Sequence, residues 1–517
     1  MRLLPLILAM VTVCLELPGQ HAPPKNAGDN LRPPRTFHFS AKGNDTADGT
    51  TPGRAWRSFD RLRDVKLVAG DEIILAEGDE FHGGIKLLPE AGGTAQNPIV
   101  IRGSGKRRAT ITALDSPAIL ATSGGIEIRD LILKGNPVLA AGQKPHAGIS
   151  FYTDDGTGRR HSHIRIERVE IVGFSGDGVS ISSWHEQQPG YEDVLIQQVT
   201  AHHNGGTGIL LFGKRDPQQK TYPHRRITLR DCTVTSNHSG SGVVLGGVED
   251  GMVEHCYAAD NSGQGGGVAL WAYDSKRVTF RSCIATGTRT KQKDGGGFDL
   301  DGGCIECVVE RCLSYDNHGP GFMHCDYPGA GITRSNVIRS CISINDGQRE
   351  QGAASGFGFV VWGAGLTDCI VEKNLAYVDD PGHKLHREGL LFASFTPGFA
   401  KKNDRTRIDG CIFRKNIAIA NGKDVPLVSN TIPEASPKNV RFEGNTFLTL
   451  KTEPLFLHGE KRYLSLAEWQ KATEQEMRDG KSTAGKFPAD AIVLPADYRL
   501  RDPRALDKWP LFKAIPE

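Results

Sequence analysis

Cys307-Val-Val-Glu-Arg-Cys312-Leu-Ser-Tyr315 reads as two short alternating strands hinged on a cysteine, and the same phrase recurs along the chain. Ile227-Thr-Leu-Arg-Asp-Cys232, Met252-Val-Glu-His-Cys256, Val278-Thr-Phe-Arg-Ser-Cys283 and Val337-Ile-Arg-Ser-Cys341 repeat it. Cys369-Ile-Val-Glu-Lys-Asn374, Cys411-Ile-Phe-Arg-Lys-Asn416 and Val440-Arg-Phe-Glu-Gly-Asn445 carry it on with asparagine at the hinge. The hinges lie 24 to 42 residues apart, and nothing helical fits between them. Such a period describes strands stacking on themselves as a solenoid with variable loops. Successive coils about 4.8 Å apart put like residues in contact. An asparagine there bonds along the stack, and a cysteine is a small apolar filler with a weak donor. Cys232, Cys256, Cys283, Cys312 and Cys341 are therefore expected to form a ladder passing into Asn374, Asn416 and Asn445. Five residues upstream, Cys307, Cys369 and Cys411 mark a second, interrupted column. Coil spacing alone does not exclude disulfides, but stacked thiols are the favoured state. Cys304 and Cys307 form a lone C-x-x-C without the second pair or histidine spacing of a zinc site.

After each hinge a glycine-rich lead-in opens a third strand, as in Gly242-Val-Val-Leu-Gly, Gly267-Val-Ala-Leu-Trp, Gly297-Phe-Asp-Leu-Asp, Gly321-Phe-Met-His-Cys and Gly358-Phe-Val-Val-Trp. Alternation turns Val179, Ile209, Val243, Val268, Phe298, Phe322 and Phe359 inward and their neighbours outward on one shared sheet. The fold expected is all-β: a right-handed parallel β-helix solenoid with short helical caps. From roughly Ile164 to Asn445 the pattern resembles the pectate-lyase-like superfamily. Phe37-His-Phe-Ser-Ala-Lys-Gly-Asn-Asp45, Gly49-Thr-Thr-Pro52, Trp56 and Gly70-Asp71-Glu-Ile-Ile-Leu are similar to the start of many secreted β-helical lyases and hydrolases. That resemblance implies a capping helix over Trp56 to Lys66. It also implies a C-terminal helix over Leu464 to Asp479 which, with a Pro-rich tail, covers the other end.

The ends and the composition set the organisation. Met1-Arg2 followed by the apolar run Leu3 to Leu15 reads as a secretory signal too short to span a bilayer. Cys14 raises a lipoprotein signal, but Val11-Thr12-Val13 is a poor lead-in, and cleaved export is the reading taken. Residues 1–22 are assigned to the signal, 23–36 to a linker and 37–140 to the N-terminal cap and first coils. Residues 141–450 are assigned to the central coils and 451–517 to the C-terminal cap. A secreted, periplasmic or cell-surface monomer without a transmembrane anchor is expected. With 62 basic and 60 acidic residues, net charge +2, there is no footprint for nucleic acid or an anionic membrane.

Chemistry is expected on Gly295-Gly-Gly-Phe-Asp299-Leu-Asp301-Gly-Gly303. Phe298 and Leu300 point in, so Asp299 and Asp301 project from one face with Cα atoms about 6.5–7 Å apart. Aspartate is depleted in strands, and two of them flank one core position. Such a pair serves hydrolysis of a glycosidic bond, where the carboxyl groups lie roughly 5–9.5 Å apart, or holds a Ca²⁺ ion. The resemblance makes this face a polysaccharide groove. Phe212, Gly246, Trp271, Cys325 and Trp362 are expected at the level of Asp301, with Trp271 and Trp362 as sugar platforms. Tyr273, Asp274, His324, Asp326 and Tyr327 are placed on or near adjoining turns, and Arg289, Lys291 and Lys293 on the preceding loop. The catalytic candidates are Asp299, Asp301, His324 and Lys293; the substrate-binding candidates are Trp271, Trp362, Tyr273, Phe212, Asp326 and Arg289. Lyases of this resemblance take a proton with a lysine just after a Gly-Phe strand, beside a bound Ca²⁺. Here Asp299-Leu-Asp301 follows instead, so a lyase would need Lys293, Arg289, Lys214 or Arg349 from a loop. A secreted glycoside hydrolase is favoured over a uronate lyase, with a non-catalytic glycan-binding solenoid as the reading from another class.

Overall fold

The computed structural model describes residues 32–87, 89–139, 142–291, 294–327, 329–348, 357–363, 365–379, 388–393, 408–422, 425–430, 439–450, 453–486, 497–513 and 515. The expected signal segment and Lys293 lie outside them. Three sheets of 14, 13 and 14 strands run the length of the molecule and stack one parallel strand per coil, save that the last strand of one of them, Lys461–Tyr463, pairs antiparallel with Phe456–His458. Taken in the order the chain visits them, they are called the first, second and third sheets. The solenoid is right-handed. The coils follow one another without a break from Thr36–Phe39 to Val440–Glu443 on the first sheet.

The bend from first to second sheet explains the repeat. The residue before each hinge (Asp231, His255, Ser282, Arg311, Ser340, Lys373, Lys415) is left-handed, with φ between 48° and 54°. That single residue reverses the chain sharply and turns the next side chain into the core. Cys232, Cys256, Cys283, Cys312 and Cys341 are buried, and the ten described cysteines are all free thiols. The amide of Cys256 meets the sulfur of Cys283 at 3.5 Å, and that of Cys283 meets the sulfur of Cys312 at 3.4 Å. Cys341 then donates its amide to Asn374 Oδ1 at 2.8 Å. Side chains continue the ladder from Asn374 to Asn416 (3.0 Å), to Asn445 (2.8 Å) and to Glu476 (2.6 Å). Asn336 fills the gap in the second column, accepting the Cys307 amide at 2.9 Å. A third ladder runs along the next bend, from Asn204 through Asn237 to Asn261. Asn317 ends there on a buried acid, Asp346, at 2.8 Å.

Inside the third sheet, Phe298, Phe322 and Phe359 stack face to face at 4.9 and 4.8 Å, the coil repeat itself. On the outside of the first sheet the residues two before each hinge alternate in charge: Arg230, Glu254, Arg281, Glu310, Arg339, Glu372, Arg414, Glu443. Glu310 is held at 2.6 Å by both Arg281 and Arg339.

The caps differ from expectation in detail. The N-terminal cap is a 3-10 turn, Phe59–Asp64, burying Phe59 and Leu62, while Trp56 stacks on Phe37 at 5.4 Å. Only Leu466–Thr473 is α-helical at the other end, where Trp469 stacks on Phe456 at 5.0 Å; a hairpin, Met477–Ser482, follows. The described part of the C-terminal tail lies along a side of the solenoid. Leu506, Trp509, Leu511 and Ile515 run back along the second sheet and bury its outer Leu313, Tyr315, Ile342 and Ile344. The outer face of those strands is apolar, so it needs a cover as much as the open coil does.

Candidate functional site

The strand Phe298–Leu300 alternates as expected, with Phe298 and Leu300 in the core. Asp299 faces outward yet is only 3% exposed, and its Oδ1 has no hydrogen-bond partner. Asp301, one residue past the strand, is partly exposed, and its Oδ1 accepts the Gly302 amide at 2.7 Å. On the next coil Cys325 brings a thiol to the same spot, and donor atoms of Asp299, Asp301 and Cys325 all lie within 4.8 Å of one another. Burial, joined by the charges of Asp301 and Asp294, pushes the Asp299 carboxyl well above the usual carboxylate range. Asp301 is pushed up to about 6, also chiefly by burial, against the opposing hydrogen bonds from Gly302 and Cys325. Desolvation penalises the charged form of both.

The outward rows need one correction. Val243 pairs with Leu270 and Leu270 with Phe298, so Leu270, not Val268, takes the inward position. Trp271 therefore sits beside Asp299, and Tyr273, beside Gly246, comes to the level of Asp301. The triple glycine Gly265–Gly267 offers more than one start for this strand, and hydrogen bonding begins two residues later than Gly267 suggests. Trp271 is half-buried, donates Nε1–H to Ser241 Oγ at 2.8 Å and lies 5.3 Å from the Tyr273 ring. Tyr273 covers Gly246 so closely that a Cβ there would overlap the ring. Phe212 is partly exposed three coils away, with Trp184 at 6.1 Å. The outer face of the third sheet thus carries Trp184, Phe212, Tyr273 and Trp271 in a line leading to the aspartates. Trp362 pairs with Cys325 and packs on a small buried cluster of Met323, Cys325 and Val360.

The remaining candidates are placed differently, with Asp326 near enough for its charge to act on Asp301. His324 pairs with Leu300 and Val361, both core positions, so it points into the solenoid. It is fully buried, donates Nε2–H to the Ile370 carbonyl at 3.1 Å, and burial lowers its pKa to about 4. Arg289 is at the opposite bend and donates to the Asp316 carbonyl at 2.7 Å. Asp326 is buried and accepts the Thr333 hydroxyl at 2.7 Å, so that oxygen holds a turn. Lys214 is paired with Glu186 at 2.8 Å, and Arg349, like Lys293, is outside the described residues.

Sequence reading missed a loop that crosses coils. Arg215 reaches the Gly329 carbonyl at 2.8 Å and lies 3.7 Å from Asp274. Gln219 donates to the Gly303 carbonyl at 2.8 Å and accepts the Ile332 amide at 2.5 Å. Tyr327 packs over Gly302, so these contacts gather around the turn that follows Asp301. Burial raises Asp274 to about 6 there, against the opposing Arg215 charge.

Two carboxylates supply at most four oxygens toward the six to eight that Ca²⁺ takes, and the third donor is a soft thiol, so this donor set fits that ion poorly.

Coils, ladders and the site on the third sheet define a right-handed parallel β-helix. A family model described as a right-handed beta helix region matches residues 147–326. Among solved structures, the chain is similar to the GH136 lacto-N-biosidase from Eubacterium ramulus, with 16% identity and a TM-score of 0.52 over 70% of this chain and 67% of that one. A second structure, the pectate lyase Pel9A, shares 14% identity with a TM-score of 0.40 over 71% and 80%. At 16% identity the likeness to the biosidase is one of fold. No curated protein sequence matches the chain.

Proposed function

We propose that this protein is an exported enzyme that cleaves glycosidic bonds in a polysaccharide, and that Asp299 and Asp301 carry the reaction. One observation carries the reading: a buried carboxyl with an unpartnered oxygen lies beside a partly exposed one, at the end of an aromatic row. Buried polar atoms are nearly always satisfied, and the exceptions gather where a substrate atom completes the set. A glycosidic oxygen is such a partner. Asp299 would give it a proton, while Asp301, the accessible member, attacks the anomeric carbon or steers water to it.

One oxygen of each carboxyl lies within 4.8 Å of the other, a closeness compatible with the double-displacement route, whose carboxyl groups stand about 5–5.5 Å apart. Trp271 and Tyr273 would stack the sugars leading into the pair. Hydrolysis is preferred to elimination because Arg215, close to this end of the groove, already serves Asp274 and the Gly329 carbonyl. The solved structure similar in fold is a lacto-N-biosidase by name, which is consistent with a glycan substrate for this chain.

Incubation with a panel of polysaccharides tests the reading. New reducing ends without the ultraviolet absorbance of unsaturated uronates are expected. Asp299→Asn and Asp301→Asn should each lower turnover by about 10²–10⁴-fold with folding retained. Unsaturated product would replace hydrolysis by elimination. Turnover unaffected by both substitutions would remove the pair from the chemistry.

A further inference from the structure

The three acids at the groove end share a property that bond cleavage does not require. Cys325 lies on the coil after Asp299 and Asp301, and its sulfur and one oxygen from each aspartate fall within 4.8 Å of one another. Every other described thiol lies outside this grouping, most of them stacked in the core, whereas Cys325 faces outward with Trp362 beside it. A second observation points to a ligand: Asp299 Oδ1 is buried in a residue 3% exposed and has no hydrogen-bond partner.

We infer that Asp299, Asp301 and Cys325 form a binding site for one thiophilic divalent cation of the zinc class. Three protein donors that include a thiolate, with one position left for water or a sugar oxygen, is the pattern of an open tetrahedral site. A thiolate selects zinc-like ions over Ca²⁺ or Mg²⁺, which prefer oxygen throughout. Two carboxylates and a thiolate around a divalent ion leave a net charge of −1, so the ion neutralises most of the repulsion among them. The ion takes the place of the protons on these groups, which pass to the buffer on binding. An ion seated there occupies the oxygen that Asp299 would use toward a glycosidic bond, so loading silences the acid pair. This site goes beyond the glycan-cleavage reading and stands or falls without it, because binding is read with no substrate present.

The full chain, reduced and dialysed against chelator, is titrated with Co²⁺ under optical absorption and then with Zn²⁺ in competition with a chromophoric chelator. One ion per chain is expected, with a thiolate-to-cobalt band in the near ultraviolet that Zn²⁺ abolishes and a hundredfold excess of Ca²⁺ does not. Cys325→Ser should remove the band, and Asp301→Asn should weaken Zn²⁺ binding at least about 100-fold. Cobalt bound without a sulfur band overturns the site, as does displacement by Ca²⁺ or full affinity in both variants. Circular dichroism reports whether each variant folds, and the wild-type band decides the matter if neither does.

Discussion

Asp346 shows how one buried residue ties the ladder to pH. It is fully buried, accepts from Asn317 and from the Ser343 hydroxyl at 2.6 Å, and burial raises its pKa to about 7 against those bonds. Its folded pKa stands above the ordinary unfolded one, so the folded state binds more protons. The stability it lends is full below about pH 4 and is lost as pH rises toward 7. Asp346→Asn keeps an acceptor for Asn317 and has no charge to bury. Denaturant melts at pH 5 and pH 8 should show the wild type losing about 1–3 kcal/mol that the variant keeps. Asn416→Ala acts the other way. It strips the acceptor from the Asn374 amide and side chain (3.1 and 3.0 Å), together with the donor to the Val371 carbonyl at 2.9 Å. A loss of about 2–4 kcal/mol is expected by chemical denaturation, since the orphaned groups stay buried.

Strands and rows are the next scale. The alternating Arg–Glu row outside the first sheet was legible in the sequence, two residues before each hinge, because every coil repeats the same position. Glu310→Gln should cost about 1 kcal/mol, falling with added salt, because both arginine partners are substantially exposed. The outward rows of the third sheet were less legible. Glycine marks the start of most of these strands, but at Gly265–Gly267 flexible backbone offers several starts, and only cross-strand hydrogen bonding chooses Leu270. That choice places Tyr273 over Gly246 and puts Trp271 beside Asp299. Gly246→Ala should therefore displace the Tyr273 ring, and Trp271→Ala should remove a platform. Each is expected to weaken oligosaccharide binding by about 1–2 kcal/mol, roughly 5–30-fold, measured by calorimetry. His324 was open to the same reasoning, since alternation from Phe322 already turned it inward.

At the scale of the whole molecule the solenoid is held by neighbours along the stack and by a long-range strap at the C-terminus. Leu506, Trp509, Leu511 and Ile515 cover the second sheet, and Arg504 pairs with Asp231 at 2.7 Å while Arg499 pairs with Asp316 at 2.8 Å. Burial of such side chains is worth about 1.5–3 kcal/mol each before the cost of ordering the segment. Removing residues 497–517 should lower the melting temperature by several degrees and raise binding of a hydrophobic dye. An unchanged melt would show that the strap is dispensable. Coil stacking determines which parts of this architecture can be read from sequence. A residue in contact with its own counterpart one coil away is selected for the same chemistry in each, so hinges, ladders and the inward phenylalanines recur as a written pattern. Asp299 and Asp301 were visible because two acids interrupt that pattern in a strand. Only the tertiary structure decided the rest, because it depends on contacts between unlike positions. It buries Asp299 with its Oδ1 unpartnered, adds the Cys325 thiol from the next coil and brings Arg215 and Gln219 across to Gly329, Gly303 and Ile332. Loop crossings obey no period, so no repeat records them.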